Sequence, residues 1–429
     1  GYHFLSKSEA SLPLLLSLEG MAQRLSTLFV VVLGATEPTR ARATHAALPA
    51  DLTAAYDAFR LQYRAGEDPS KDHVDYATRA SLFQTRSQEA VAHNARPGVF
   101  WKKVVNQFSD HTDAELRGML GLKRRGHLRA PVGGTGSFLE VKPSKKAWSN
   151  VSVDWRGRLN SSQNFLRNQG GCGSCWAVAS VGALEMHAEL ARGATERLSF
   201  EELVDCVPNP RHCGGDGGCK GATAELAFQY VQEHGLSAEG SYRGYLSGGD
   251  GKCRASQDRR QKITRATGWD RLPENKLGNL LEAVAHRGPV VVSVDASGWN
   301  SYGGGVYHGC PRDATVNHAV VAVGFGSDEA SGMDYWLIRN SWGNWGESGY
   351  IRLQRHASDE GDAGYCGTDR SPQEGVFCEG GPKEVPVCGM CGVLSDSSLP
   401  KGVVISHRPA RSRGAVEAVR SFVRRAWRK

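Results

Sequence analysis

The 429-residue chain is short of two things that would direct it to a membrane or to nucleic acid: long apolar runs, and net charge in its main body. Its most apolar run, residues 25–35, is well short of the ~20 apolar residues that a spanning helix needs. The formal charge of +7 is concentrated at one end. From Lys401 to Lys429 there are nine Lys or Arg against one acid, Glu417, so the other 400 residues sum to −1. A basic whole-chain balance therefore gives no argument for nucleic acid as a partner. An even cysteine count is also lacking. Eleven cysteines suit an oxidising compartment in which ten pair and one stays free for chemistry. With 40% hydrophobic and 23% charged residues the chain is globular, and its length suits two or three folding units.

One stretch organises the rest: Asn168-Gln169-Gly170-Gly171-Cys172-Gly173-Ser174-Cys175-Trp176-Ala177. Beyond it Val178, Val181, Leu184 and Ala188 recur about one turn apart, which predicts a helix. Cys175 then falls in the first turn, where free backbone N–H groups and the helix dipole favour a thiolate. Gln169, six residues upstream, can donate to a developing oxyanion. Alone, the Cys-x-x-Cys spacing would equally suit a redox pair or a metal knuckle.

Two further segments decide between these. Gln169-x-x-Cys172-Gly173-Ser174-Cys175-Trp176 resembles the nucleophile segment of the papain family of cysteine peptidases. Val316-Asn317-His318-Ala319 resembles the family's histidine strand, and Asn340-Ser341-Trp342-Gly343 its asparagine segment. The order Cys, His, Asn and the 143-residue gap from Cys175 to His318 agree with that pattern. The resemblance implies an α+β, two-lobe fold, with a helical left lobe, a barrel-like right lobe and a cleft between them. It implies an endopeptidase with Cys175 as nucleophile, His318 as base, Asn340 as its orienter and Gln169 in the oxyanion hole, and no cofactor or metal. Trp342 would shield the His318–Asn340 bond. The groove would be formed by Gly221, Ala222, Thr223, Ala224, Ser293, Val316, Asn317 and Ala319, with Ser371 at the floor of its main pocket. These residues carry no charge, so an apolar substrate side chain is expected there.

Taken in order, residues 1–20 read as an upstream extension and 21–36 as a signal peptide, with Met21-Ala22-Gln23-Arg24 ahead of an apolar core. Residues 51–120 resemble an inhibitory propeptide of the cathepsin L type. Arg79, Phe83 and Asn94 match its interrupted helix motif, Asp75 stands for Glu, and Arg86 and Ala90 depart from it. Asn106-Gln107-Phe108-Ser109-Asp110 resembles the second propeptide motif. Residues 121–149 read as an activation linker, 150–400 as the peptidase and 401–429 as a basic tail, amphipathic if helical. That tail reads as a solvated or trimmed extension, with membrane contact through 408–429 as the alternative. Asn150 and Asn160 head glycosylation sequons.

By resemblance the disulfides are Cys172–Cys219, Cys206–Cys253 and Cys310–Cys366. Cys213, Cys378, Cys388 and Cys391 then allow three pairings, or a zinc knuckle. The economical expectation is two extra bridges, one joining the late extension to the left lobe through Cys213. The expected partners are protein and peptide substrates and the chain's own propeptide, around a monomer in the secretory pathway, lysosomal, vacuolar or extracellular. Transpeptidation from the same acyl-enzyme, or a silent scaffold homologue, are the competing functions; the presence of all four active-site residues speaks against the scaffold.

Overall fold

The computed structural model of the chain describes residues 50–67, 72–120, 148, 151–244, 246, 251–254, 262–356 and 364–406. The segments read as an upstream extension and a signal peptide, nearly all of the expected linker and the tail from 407 onward lie outside the described residues.

Helices α1 (Ala50–Tyr63) and α2 (Tyr76–Asn94) open the fold, followed by β1 (Trp101–Lys103) and α3 (Asp113–Met119). Their ends are set by side chains. Asp75 caps α2 by accepting from Thr78 N, and Thr112 and Glu115 form a reciprocal capping box on α3. Arg79 is buried in α2 and holds Asp72 and Glu115. Arg64 holds Asp110, which also accepts from Tyr56. Phe83 packs against Tyr56 and Phe59, and Asn94 exchanges two hydrogen bonds with the Lys103 backbone. Arg86, a departure from the motif, donates to the Phe108 carbonyl.

The next part is mostly helical. It comprises β2 (Val153–Asp154), α4 (Cys175–Arg192), α5 (Phe200–Cys206), α6 (Ala224–His234) and β3 (Leu236–Ser237). A mostly β part follows, with β4 (Lys262–Arg265), β5 (Gly268–Arg271), α7 (Leu277–His286), β6 (Val290–Val294), β7 (Tyr302–Tyr307), β8 (His318–Asp328), β9 (Met333–Arg339) and β10 (Tyr350–Gln354). Four late strands complete it: β11 (Cys366–Asp369), β12 (Val385–Cys388), β13 (Ser397–Lys401) and β14 (Val404–Ile405).

The main sheet runs β1-β7-β10-β9-β8-β6-β13-β5, with β2 on β8. Its end strands β1 and β5 do not pair, so the sheet is open, where the sequence led to a barrel-like lobe. Its central strands are buried on both faces, and the period of two divides them between two cores. Val290, Val292, Val294, Val320 and Ala322 enter one core with Trp299, Trp336 and Trp345. Val291, Ala319, Val321 and Val323 enter the other, against Trp176, Val181 and Leu184 of α4. The sheet thereby holds the N-terminus of α4 beside the start of β8.

Five disulfides form. Cys172–Cys219, Cys206–Cys253 and the extra bridge through Cys213, to Cys378, are as expected. Cys310–Cys366 is not. Cys366 lies opposite Cys388 in the β11–β12 ladder and bonds to it, while Cys310 bonds to Cys391. The hairpin carries Cys366 to its own partner, and the turn after β12 brings Cys391 to Cys310; the Asp295 N–H donates to the Cys391 carbonyl at 2.8 Å.

Candidate active site

Cys175 begins α4 and is the only free cysteine of the eleven. The loop before it is fixed by the Cys172–Cys219 bridge and by Gly173 N donating to Cys219 O at 2.9 Å. Across the cleft the first residues of β8 approach. The Ala319 N–H donates to Cys175 Sγ at 3.5 Å, and His318 is the residue that precedes Ala319 in β8.

His318 is fully buried, and its Nε2 lies 2.8 Å from Asn340 Oδ1. The Ser341 N–H donates to that same Oδ1 at 2.8 Å, identifying the atom as oxygen. An amide oxygen only accepts, so Nε2 carries a proton and Nδ1 is the basic nitrogen of the neutral ring. Among the described residues Nδ1 has no partner. The Trp342 ring, 5.1 Å from the imidazole centroid to centroid, packs against this pair.

Gln169 is buried, with Oε1 accepting from Ser341 Oγ and Nε2 donating to Cys172 O at 2.8 Å. Its Nε2 also donates to the Met119 carbonyl at 2.7 Å. Residues 104–120 thus occupy the cleft. Val104 N donates to Ser301 O, Asn106 Nδ2 to Asn300 O and Gln107 Nε2 to Trp342 O, and β1 extends the sheet at β7. Leu120 faces a pocket that it shares with Cys175, Gly221, Ala222, Thr223, Ala224, Ser293, Asn317 and Ala319.

This cover removes water from the site. Burial pushes the Cys175 thiol up to about 11, against the opposing hydrogen bonds from backbone N–H groups. It pushes His318 down to about 4, against the Asn340 bond. With the cleft occupied, both groups are neutral near pH 7.

Two expected pocket residues sit elsewhere. Ser371 is not in the pocket wall; it precedes a short turn, its N–H bonded to Asp369 Oδ1. Val316 packs with Val385 and Val387 outside that wall. Sequence reasoning missed Gly214, Gly375 and Val376 in the wall, and Asp396 behind it. Asp396 Oδ2 accepts from Ser293 Oγ at 2.7 Å and Oδ1 lies 3.4 Å from Arg271 Nη2. Asp396 lies in the late segment that leads into β13, and counting from Cys391-Gly392 instead of Cys366-Gly367 would have put it at the floor.

Comparison with known proteins gives a consistent family. The family model described as papain family cysteine protease matches residues 149–375. Cysteine protease 1 of Oryza sativa subsp. japonica is 36% identical over 332 residues, which are 74% of this chain and 63% of the rice protein. A cathepsin L-like proteinase of Phaedon cochleariae is 34% identical over 298 residues, covering 68% of this chain and 85% of the beetle protein. Among solved structures, digestive procathepsin L 3 of Tenebrio molitor larval midgut superposes with a TM-score of 0.60 at 29% identity, over 82% of this chain and 99% of its own.

Proposed function

The chain belongs to the papain family of cysteine proteases, and on that premise we propose that it is the zymogen of a thiol peptidase whose acyl-enzyme forms on Cys175. The observation that carries this reading is the His318–Asn340 bond, which leaves Nδ1 without a partner among the described residues, one residue from the Ala319 N–H that meets the free Cys175 thiol.

Once residues 104–120 leave the cleft, water returns to both groups and the proton passes from Cys175 Sγ to His318 Nδ1. The thiolate adds to the substrate carbonyl carbon. The oxyanion takes the place now held by the Met119 carbonyl, accepting from Gln169 Nε2 and from the Cys175 N–H. The tetrahedral adduct collapses as the imidazolium gives its Nδ1 proton to the leaving amine. Water, deprotonated by the same nitrogen, then cleaves the thioester and restores the thiol. Asn340 fixes the ring throughout, and Trp342 shields that bond from solvent.

The pocket holding Leu120 receives the side chain of the second residue before the cut bond. Its lining is apolar or neutral, and Asp396 behind it is engaged by Ser293 and Arg271, so a Leu-sized apolar side chain is preferred. Residues 51–120 are the inhibitor in cis. The five disulfides and the exposed Asn160 sequon support the secretory pathway, with a vacuolar, lysosomal or extracellular destination.

The test is acid processing of the full-length protein, followed by iodoacetamide. One label on Cys175 should abolish hydrolysis of a fluorogenic peptide. Hydrolysis that persists in Cys175→Ala refutes the mechanism.

A further inference from the structure

The β11–β12 hairpin is clamped at its base by Cys366–Cys388, and the chain between its strands, residues 370–384, leaves the sheet side and reaches the helical side. On the sheet side Val376 N donates to Val316 O at 2.9 Å, two residues before His318. The approach is so close that a Cβ on Gly375 would lie 2.0 Å from that same oxygen. On the helical side Gly214 N donates to Phe377 O at 3.3 Å and Glu379 N to Arg211 O at 3.2 Å. The Cys213–Cys378 bridge locks this end covalently. The receiving loop is itself fixed, since Asn209 donates to the carbonyls of Cys213 and Gly215 and accepts from Cys213 N.

The segment is therefore a strap fastened to both walls of the cleft, and its place along the groove is defined. Gly375 and Val376 form one side of the pocket that holds Leu120, and Gly214 backs onto Ala222 and Thr223 at the opposite rim. An extended substrate advances ~3.3 Å per residue. Past the second residue before the cut, the next residue would have to enter space filled by the strap backbone.

Resting on the peptidase reading above, we infer that this disulfide-locked strap closes the groove beyond the second residue, so that the enzyme releases dipeptides from free N-terminal chain ends. The resemblance alone implies an endopeptidase, which cuts internal bonds; the strap closes the groove on the N-terminal side of the bond.

The experiment uses acid-processed full-chain enzyme and fluorogenic peptides with two, three or four residues before the reporter, all sharing the same last two. Hydrolysis of the two-residue substrate, stopped by iodoacetamide, verifies the peptidase reading by itself. The strap predicts that kcat/KM falls at least tenfold from two residues to three and stays low at four. The double variant Cys213→Ser, Cys378→Ser, which unlocks the strap, should recover much of that loss. A measurement free of any variant is mass spectrometry of the products from a 20-residue linear peptide. Successive N-terminal dipeptides support the strap, and internal fragments from the first time point overturn it. A flat length profile overturns the strap and leaves the peptidase intact, while no hydrolysis at any length overturns both.

Discussion

The Gln169 side-chain amide donates to the Met119 carbonyl at 2.7 Å, so the donor proposed for the reacting oxygen is already occupied by the chain's own N-terminal segment. The next residue, Leu120, is buried and lines the pocket beside Cys175. On the proposed reading, inhibition is competitive in form, with a backbone carbonyl at the proposed oxyanion donor and an apolar side chain at the proposed specificity pocket. The same contact desolvates the thiol, which ties the block on access to a block on ionisation.

The first prediction concerns that coupling. With Cys175 held up at about 11 by burial, the thiolate fraction at pH 7 is on the order of 10⁻⁴ in the covered form. Iodoacetamide labelling at pH 7, followed by intact mass, should be at least a hundredfold slower in the zymogen than in processed enzyme. Equal rates would mean that residues 119–120 do not cover the thiol in solution.

Gln169→Ala should lower kcat about 10²–10³-fold, some 2.7–4 kcal/mol, with a smaller change in KM. The mature enzyme is the right sample, since in the zymogen the same substitution also loosens Met119. A loss confined to KM would assign Gln169 to ground-state binding.

The residues proposed as catalytic stand out in the sequence because each lies in a short run that also sets its own local structure. Gln169 to Trp176 makes a glycine-rich loop and a helix start, Val316 to Ala319 a strand entry, and Asn340 to Trp342 a strand exit. The pocket floor and the late disulfides were not legible, because they depend on which of two Cys-Gly pairs reaches Cys310. Cys366-Gly367 comes first in sequence, but it heads a hairpin that closes on Cys388. Reading it as the terminal pair misplaced Ser371 at the floor and hid Asp396. No local pattern announces an inserted hairpin whose tip is anchored on the other wall, although the odd position of Cys213 did point to a bridge of that kind.

Activation should be driven by acid, through carboxylates in the N-terminal domain. The hydrogen bond from Arg79 holds Asp72 down at about 2; Glu115 is also held at about 2, where burial opposes ionisation but Arg79 and the Thr112 N–H outweigh it. Both sit below their ordinary values of 3.8 and 4.5. Each therefore stabilises the domain fully above its unfolded value, and that stabilisation is lost as pH falls from about 4.5 toward 2. Conversion of the zymogen, followed on gels across pH, should accelerate in that window. Arg79→Ala leaves Asp72 and Glu115 without their shared buried cation, a change of the class that costs ~3–5 kcal/mol. It should move conversion toward neutral pH. An unchanged pH profile would place the acid trigger elsewhere.

The last prediction tests what keeps the pocket apolar. Asp396 stands behind Ser293, with Arg271 on its other oxygen. Glu225 lies close by, its Oε1 shut from solvent and without a hydrogen-bond partner among the described residues. Burial, with the Asp396 charge second, pushes Glu225 up to about 7, and Arg271 works against that rise. Arg271 is thus the cation shared by both carboxylates. Arg271→Gln removes it and leaves an uncompensated negative charge beneath the pocket, which a Lys or Arg side chain of the substrate can neutralise. The ratio of kcat/KM for Arg over Leu at the second residue before the cut should rise at least tenfold, ~1.4 kcal/mol. The rise should grow between pH 5 and pH 8 only as far as Glu225 ionises, and loss of Arg271, which opposes its rise, pushes that carboxyl higher still in the variant. The readout is a pair of fluorogenic dipeptides differing only at that residue, assayed on both enzymes at both pH values. If the ratio is the same in variant and wild type, Asp396 and Glu225 do not act on the pocket, and its preference is set by the neutral lining alone.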